Sequence, residues 1–204
     1  GYLEMLSDMD TPAPLSKALA QMDSQANRMT NLVNDLIQLS KLESASRERD
    51  GVAFDLTALC HQVAGEMKGY SGDAEVRINT ERSLIVDGFK EEMHSALTNL
   101  VTNAIKYGDG KQVNIDIAPS DRGIEVAVKD QGPGIPPEHL SRVTERFYRV
   151  DESRESTVGG SGLGLSIVKH ALEHHDAELK IESALGQGST FSFVIPSFRR
   201  ENNA

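Results

Sequence analysis

The sequence predicts an α+β fold: a two-layer sandwich of a mixed sheet with helices on one face, preceded by a long helical hairpin arm. Three observations lead there. Residues 15–46 contain neither Gly nor Pro and repeat apolar residues every seven, at Leu15, Met22, Met29 and Leu36, the period of a helical seam. The runs Val113-Asn-Ile-Asp-Ile117 and Ile124-Glu-Val-Ala-Val128 alternate strictly, as half-buried strands do. Beyond residue 50, helical and strand patterns mix in an order that suits helices laid on one side of a sheet.

Taken in order, residues 1–9 read as the last turns of a helix and Asp10-Thr-Pro12-Ala-Pro14 as a breaker. A second helix of about nine turns follows, its other seam formed by Ala18, Leu32 and Leu39 with Leu19, Ala26 and Val33 beside them. Such a hairpin is too thin to bury both faces, so it predicts a coiled coil or four-helix bundle; the other reading is a helix packed on its own globular domain. The charged stretch Ser44–Gly51 marks a boundary, giving an arm over residues 1–48, a domain over 49–198 and a polar tail over 199–204.

Within the domain, the pattern predicts a helix that follows Phe54-Asp-Leu and runs to about Met67, a strand over Glu75–Thr80 and a short strand over Ser83–Val86. A helix starting at Asp87 or Gly88 ends at Gly108-Asp-Gly110, and the two alternating runs are joined by a turn at Pro119–Gly123. Helices are expected over Pro137–Glu145 and Gly162–His175, and strands over Glu178–Glu182 and Thr190–Ile195.

Composition bounds the function. The 204 residues are 38% hydrophobic, enough for a core, and carry a net charge of −10. That balance argues against a general nucleic-acid binder, which needs a basic face, but leaves room for a nucleotide held by a few cations and backbone amides. The single Cys60, among Leu56, Leu59 and Val63, reads as a buried small hydrophobe; it excludes a disulfide framework and fits a reducing compartment.

The stretch Asn99-Leu-Val-Thr-Asn103-Ala-Ile-Lys106-Tyr107 sets two carboxamides and an ammonium on one side of an otherwise apolar helix. It is either a solvated face or a polar site. Asp130-Gln-Gly132-Pro-Gly134-Ile135 follows a strand. It is a strand-ending turn, or a carboxylate placed to accept from an exocyclic amine, with glycines letting backbone approach a flat ring. Gly160, Gly162 and Gly164 open a helix, where free amides and the helix dipole favour an anion. A polar loop precedes them, which excludes the dinucleotide fingerprint, and no G-x-x-x-x-G-K-[ST] occurs. Gly186-Gln-Gly188-Ser-Thr190 reads first as a tight turn. The charged loop between Phe147 and Gly160 is surplus or a lid; Arg149 is its candidate phosphate contact, with Arg146 and Arg154 reading as surface charge.

These motifs, in this order over about ninety residues, resemble the ATP-binding catalytic domain of sensor histidine kinases, in the superfamily shared with gyrase, MutL and the ninety-kilodalton heat-shock chaperones. The arm resembles the kinases' dimerisation and histidine-phosphotransfer hairpin. Thr144–Asp151 together with Gly160–His170 resemble in particular the phosphate-regulon sensors of that family. The resemblance implies a Bergerat-type fold that binds ATP and Mg²⁺. Asn103 would give its oxygen to the metal, Asn99 would lie near the phosphates, and Lys106 and Arg149 would contact them. Tyr107 would lie against base or ribose, Asp130 would accept from the adenine amino group, and Gly132, Gly134 and Ile135 would shape the base pocket. Thr190 would support Asp130, while the amides of Gly162, Leu163, Gly164 and Leu165 would hold phosphate and Phe147 would anchor the lid in the core.

It further implies a homodimer through the hairpin, a response-regulator receiver domain as partner, and the cytoplasmic portion of an inner-membrane-anchored bacterial sensor. Where ATPase relatives often carry a glutamate base, this chain has Asn99, which suits a transferase. None of the six histidines, His61, His94, His139, His170, His174 and His175, stands in the family's His-Glu/Asp-x-x-x-Pro context. The resemblance therefore implies an acceptor upstream of Gly1 and weakened dimerisation of this fragment. The last three histidines read as a partly exposed helix face rather than a zinc site.

Overall fold

The computed structural model describes residues 13–45, 50–68, 74–80, 82–109, 112–150 and 160–196. The expected turns over residues 1–9, most of the charged loop read as surplus or a lid, with Arg154 and Gly159, and the tail lie outside them. The described elements run α1 (Ala13–Ser44), β1 (Val52–Asp55), α2 (Leu56–Met67), β2 (Val76–Asn79), β3 (Ile85–Gly88), α3 (Lys90–Tyr107), β4 (Val113–Ser120), β5 (Gly123–Lys129), α4 (Pro137–Leu140), α5 (Gly164–Glu173), β6 (Lys180–Ala184) and β7 (Gly188–Pro196).

Five strands form one mixed sheet in the order β2-β4-β5-β7-β6, parallel between β2 and β4 and antiparallel elsewhere. The strand period of two sends Val113, Ile115 and Ile117 of β4, with Val126 and Val128 of β5, into the core, where they meet Leu97, Leu100 and Val101 of α3 and Ile167 and Leu172 of α5. The opposite face carries Asp116, Lys129, Glu182 and Thr190, which line a shallow polar groove. Lys129 and Asp116 form an ion pair there at 2.6 Å. One face is covered by helices and one is open, as the patterning predicts.

A second, two-stranded sheet pairs β1 with β3. It accounts for the late start of α3. Asp87 and Gly88, expected to open the helix, pair instead with Ala53 and Val52, and the Phe89 N–H donates to His175 Nε2 at 2.9 Å. Asp55, ending β1, caps α2 by accepting from the Ala58 N–H at 2.9 Å. Hydrogen bonds from Ser83 and Ala58 hold its carboxyl below the ordinary aspartate value. The helix expected over Pro137–Glu145 is shorter, a single turn of α4 followed by turns closed by Arg142 N to His139 O and Glu145 N to Arg142 O.

The reading of a helix packed on its own domain holds for the C-terminal end of the long helix. Leu39 and Leu42, at 3% and 4% exposure, belong to the domain core, whereas Leu15, Met22, Met29 and Leu36 are exposed. Polar contacts reinforce the docked end: Gln38 donates to Ser95 of α3, Arg146 pairs with Glu43, and the Ser161 hydroxyl donates to Asp35 Oδ2 at 2.5 Å. No helix among the described residues is long and apolar enough to cross a membrane.

Candidate nucleotide-binding site

The polar stripe of α3 is the floor of the site. Its apolar side, Leu97, Leu100, Val101 and Ala104, is fully buried, which turns Asn99 and Asn103 toward the start of α5. Asn99 Nδ2 donates to the Ser95 carbonyl at 3.0 Å, so Oδ1 is the atom it presents. A methyl added to Gly164 would lie 2.7 Å from that Oδ1 and 3.9 Å from Asn103 Nδ2. The glycine run and the asparagine stripe are therefore direct neighbours. Lys106 lies one turn beyond Asn103 and is half-buried.

Tyr107 closes α3 where Gly132 of the first glycine stretch and Gly160, at the head of the second, approach it. A Cβ on Gly132 would collide with the Tyr107 carbonyl at 2.0 Å, and one on Gly160 would reach 3.5 Å from the Tyr107 hydroxyl. The Tyr107 ring is 41% exposed, open to a ligand. Gly108 sits beside Asp130, whose Cβ is 3.4 Å from the Cβ it lacks.

Asp130 leaves the end of β5 and is 9% exposed. Its Oδ1 accepts from the N–H groups of Gly132 at 2.8 Å and Ser189 at 3.2 Å. Burial raises its pKa above the ordinary aspartate value, against these two hydrogen bonds, which pull the other way. Both bonds fall on one oxygen, which leaves Oδ2 for a ligand donor. Behind it, Gly134 has φ +75° and no room for a side chain, since a Cβ would meet the Ala184 carbonyl at 2.1 Å. Ile135 packs on the core and donates its N–H to Ser183 Oγ at 2.8 Å.

Two expectations are corrected here. Thr190 is not the residue supporting Asp130: it pairs with Lys129 and Glu182 and lines the open face of the sheet with them. Strand parity assigns the support to Ser189, one residue earlier, whose N–H makes the bond and whose carbonyl accepts from Asp130 N at 3.0 Å. Phe147 is not a core anchor, being 57% exposed. Its backbone does the anchoring: at φ +62° its N–H donates to the Gly162 carbonyl at 2.9 Å, and Gly162, at φ +72°, has no space for a Cβ against it.

The two ends of the charged loop are joined a second time by Arg149, whose Nη1 donates to the Gly160 carbonyl at 3.1 Å. Leu163 is fully buried, and its N–H donates to Ser161 Oγ at 3.1 Å. The amides of Gly164 and Leu165 begin α5, next to Asn99. The histidines divide: His174 pairs with Glu92 at 2.7 Å, His170 lies between Glu43 and Glu173, and His175 is 4% exposed, so it is a core residue rather than part of an open face. No group of three metal-ligating side chains occurs among the described residues.

Ser183, Ser189 and Asp35 are the contacts that sequence reasoning missed. Ser189 was legible from strand parity, because Phe191 and Phe193 fix which face is the core. Asp35 had no local signal.

Comparison with known proteins agrees with this geometry. Residues 88–199 match the family described as "Histidine kinase-, DNA gyrase B-, and HSP90-like ATPase", and residues 1–45 match "His Kinase A (phospho-acceptor) domain". The phosphate regulon sensor protein PhoR of Pseudomonas aeruginosa is 43% identical over 197 residues, which is 94% of this chain and 44% of that protein. Its namesake in Haemophilus influenzae is 42% identical, over 96% of this chain and 47% of that one. The chain thus spans about half the length of these curated relatives. Among solved structures, the mycobacterial sensor histidine kinase MprB is 30% identical with a TM-score of 0.63, matching 72% of this chain and 97% of that one. The ATP-binding domain of PrrB from Mycobacterium tuberculosis is 25% identical with a TM-score of 0.60, over 73% and 98%. With more than half its residues inside the family match, the chain belongs to the histidine kinase-, gyrase- and HSP90-like ATPases, in their sensor histidine kinase branch.

Proposed function

We propose that this chain is the ATP-binding kinase core of a two-component sensor, passing the γ-phosphate of ATP to a histidine nitrogen and from there to a response-regulator aspartate. One observation carries the reading: at the polar end of α3, Gly164 meets Asn99 and Gly132 meets Tyr107, while Gly188 of the third glycine stretch packs on the Asp130 carbonyl beside them. Asp130 Oδ2 accepts from the adenine amino group and rejects guanine, which presents a carbonyl at that position. Gly132, Gly134 and Ile135 wall the base, and Tyr107 stacks beside it. Lys106 and Arg149 neutralise phosphate charge; Arg149 would exchange the Gly160 carbonyl for a phosphate oxygen. The amides of Gly162, Gly164 and Leu165 hold phosphate at the start of α5, and that of Leu163 would exchange Ser161 Oγ for a phosphate oxygen.

The donor set suits Mg²⁺, a hard cation that takes oxygen ligands. Asn99 presents Oδ1 beside the glycine run, and the lack of a side chain on Gly164 keeps space in front of both asparagines. Asn103 is the proposed ligand; when bound, the ion would neutralise phosphate charge. The rest of catalysis is positioning. Asn99 cannot remove a proton from water, so the site favours transfer over hydrolysis. The exposed seam of Leu15, Met22, Met29 and Leu36 is the surface proposed for pairing with a second copy.

The test is transfer in trans. The chain is incubated with γ-labelled ATP and Mg²⁺, alone and with a separately made hairpin carrying a His-Glu/Asp-x-x-x-Pro sequence. Acid-labile label on the hairpin is expected. Label released only as free phosphate would place the chain with the ATP-hydrolysing switches, and absence of turnover in both tubes would reject the kinase reading.

A further inference from the structure

The loop after β5 and the corner between β6 and β7 are fastened at one side chain, Ser183 of β6. Its Oγ accepts from the Ile135 N–H at 2.8 Å, and it lies 3.0 Å from the Gly188 carbonyl and 2.9 Å from Ser189 Oγ. A hydroxyl has one proton to give. The carbonyl can only accept, so the arrangement that satisfies all three has Ser183 donating to Gly188 O and the Ser189 hydroxyl donating to Ser183. One hydroxyl then ties down both flanks of Asp130: Ile135, five residues after it, and Ser189, whose N–H holds Oδ1.

The surroundings show how little slack remains. Gly186 N donates to the Pro133 carbonyl at 2.8 Å, and a Cβ on Gly188 would lie 2.2 Å from the Asp130 carbonyl. With the backbones this close, a small movement of the corner is passed directly to the carboxylate.

We propose that Ser183 is a positioning residue for base selection. Through Ser189 and Ile135 it holds the Asp130 carboxylate with Oδ1 turned inward and Oδ2 toward the ligand, and so sets the preference for adenine over guanine. This rests on the reading of Asp130 as acceptor of the exocyclic amine. Ser183 touches no ligand in this scheme. Nor does the sheet depend on its hydroxyl, because the β6–β7 ladder continues on both sides, Glu182 opposite Thr190 and Ala184 opposite Gly188.

The test compares binding of ATP and GTP by titration calorimetry for the unaltered chain, Ser183→Ala, Ser183→Thr and Asp130→Asn, each with its melting temperature. Ser183→Ala should weaken ATP about tenfold, the equivalent of one lost buried hydrogen bond, and leave GTP nearly unchanged. Ser183→Thr, which keeps the hydroxyl, should restore the ratio. A ratio lost in Asp130→Asn but kept in Ser183→Ala overturns the inference alone. Equal weakening of ATP and GTP in Ser183→Ala also overturns it, since that is general loosening. An ATP-to-GTP ratio unmoved by Asp130→Asn overturns the adenine reading and this inference with it.

Discussion

Gly164 and Asn99 touch: the Cβ that Gly164 lacks would stand 2.7 Å from the Asn99 side-chain oxygen, closer than ordinary packing allows. The start of α5 is thereby seated on α3, and two motifs sixty-five residues apart become one surface. Gly164→Ala should displace the Asn99 carboxamide and so weaken ATP, while lowering the stability of the ligand-free fold by about 1–3 kcal/mol, the usual cost of overpacking. Calorimetric titration checks this, and an unchanged affinity would show that Asn99 lies outside the ligand's reach.

Replacing Asp130 by Asn separates binding from stability. The loss of a charge-assisted hydrogen bond should weaken ATP by roughly 1.5–3 kcal/mol. The ligand-free fold should respond in the opposite sense. Burial raises the folded-state pKa of Asp130, so the native chain binds that proton more tightly than the unfolded chain does. The associated stability is full below the unfolded aspartate pKa and is lost as pH rises through the folded one. Urea unfolding across acid pH should show this loss in the unaltered chain, and Asp130→Asn should flatten that part of the profile. Parallel profiles would refute the assignment.

Asp35 of α1 places a carboxylate beside the glycine run through its bond to Ser161. A phosphate arriving at the amides of Leu163 to Leu165 meets that negative charge. Asp35→Asn keeps an acceptor for Ser161 and removes the repulsion. ATP should bind more tightly by about 0.2–1 kcal/mol, with the gain shrinking at high salt. Titrations at two ionic strengths decide it, and equal affinities at low salt would rule it out.

Cys60 is fully buried on α2, and burial pushes its thiol pKa up to about 12. A thiolate reagent should leave it unmodified in the native chain and label it at a rate set by unfolding. Labelling followed against urea concentration should track loss of helical signal. Rapid modification without denaturant would contradict the packing around Leu56, Leu59 and Val63.

Elements that rest on local periodicity were legible in the sequence. The long helix expected over 15–46 is α1, Ala13–Ser44, and the two alternating runs are β4 and β5. The adjacency of the first two glycine stretches and the asparagine helix was also legible, because glycines there imply backbone packed tightly against something, whereas Gly188 packs on Asp130 and Gln131 instead. What escaped depended on partners distant in sequence. β1 is four residues long and exists only because β3 pairs with it. α3 begins at Lys90 rather than Asp87 because that same pairing and His175 claim the preceding residues. The exposure of Phe147 follows from a positive φ, which a sequence motif does not announce. The choice of Ser189 over Thr190 needed only strand parity.

The strand order carries a consequence for how the chain acquires its site during synthesis. β6 emerges before β7, yet β7 lies between it and β5. Until residues 188–196 have emerged and inserted, β6 has no neighbour in the sheet and Asp130 lacks the Ser189 amide. Domains fold as units while translation proceeds from the N-terminus, and pairing across this sequence distance is intrinsically slow. The base pocket is therefore among the last parts to form, and nucleotide binding by a nascent chain would report that the whole sheet is in place.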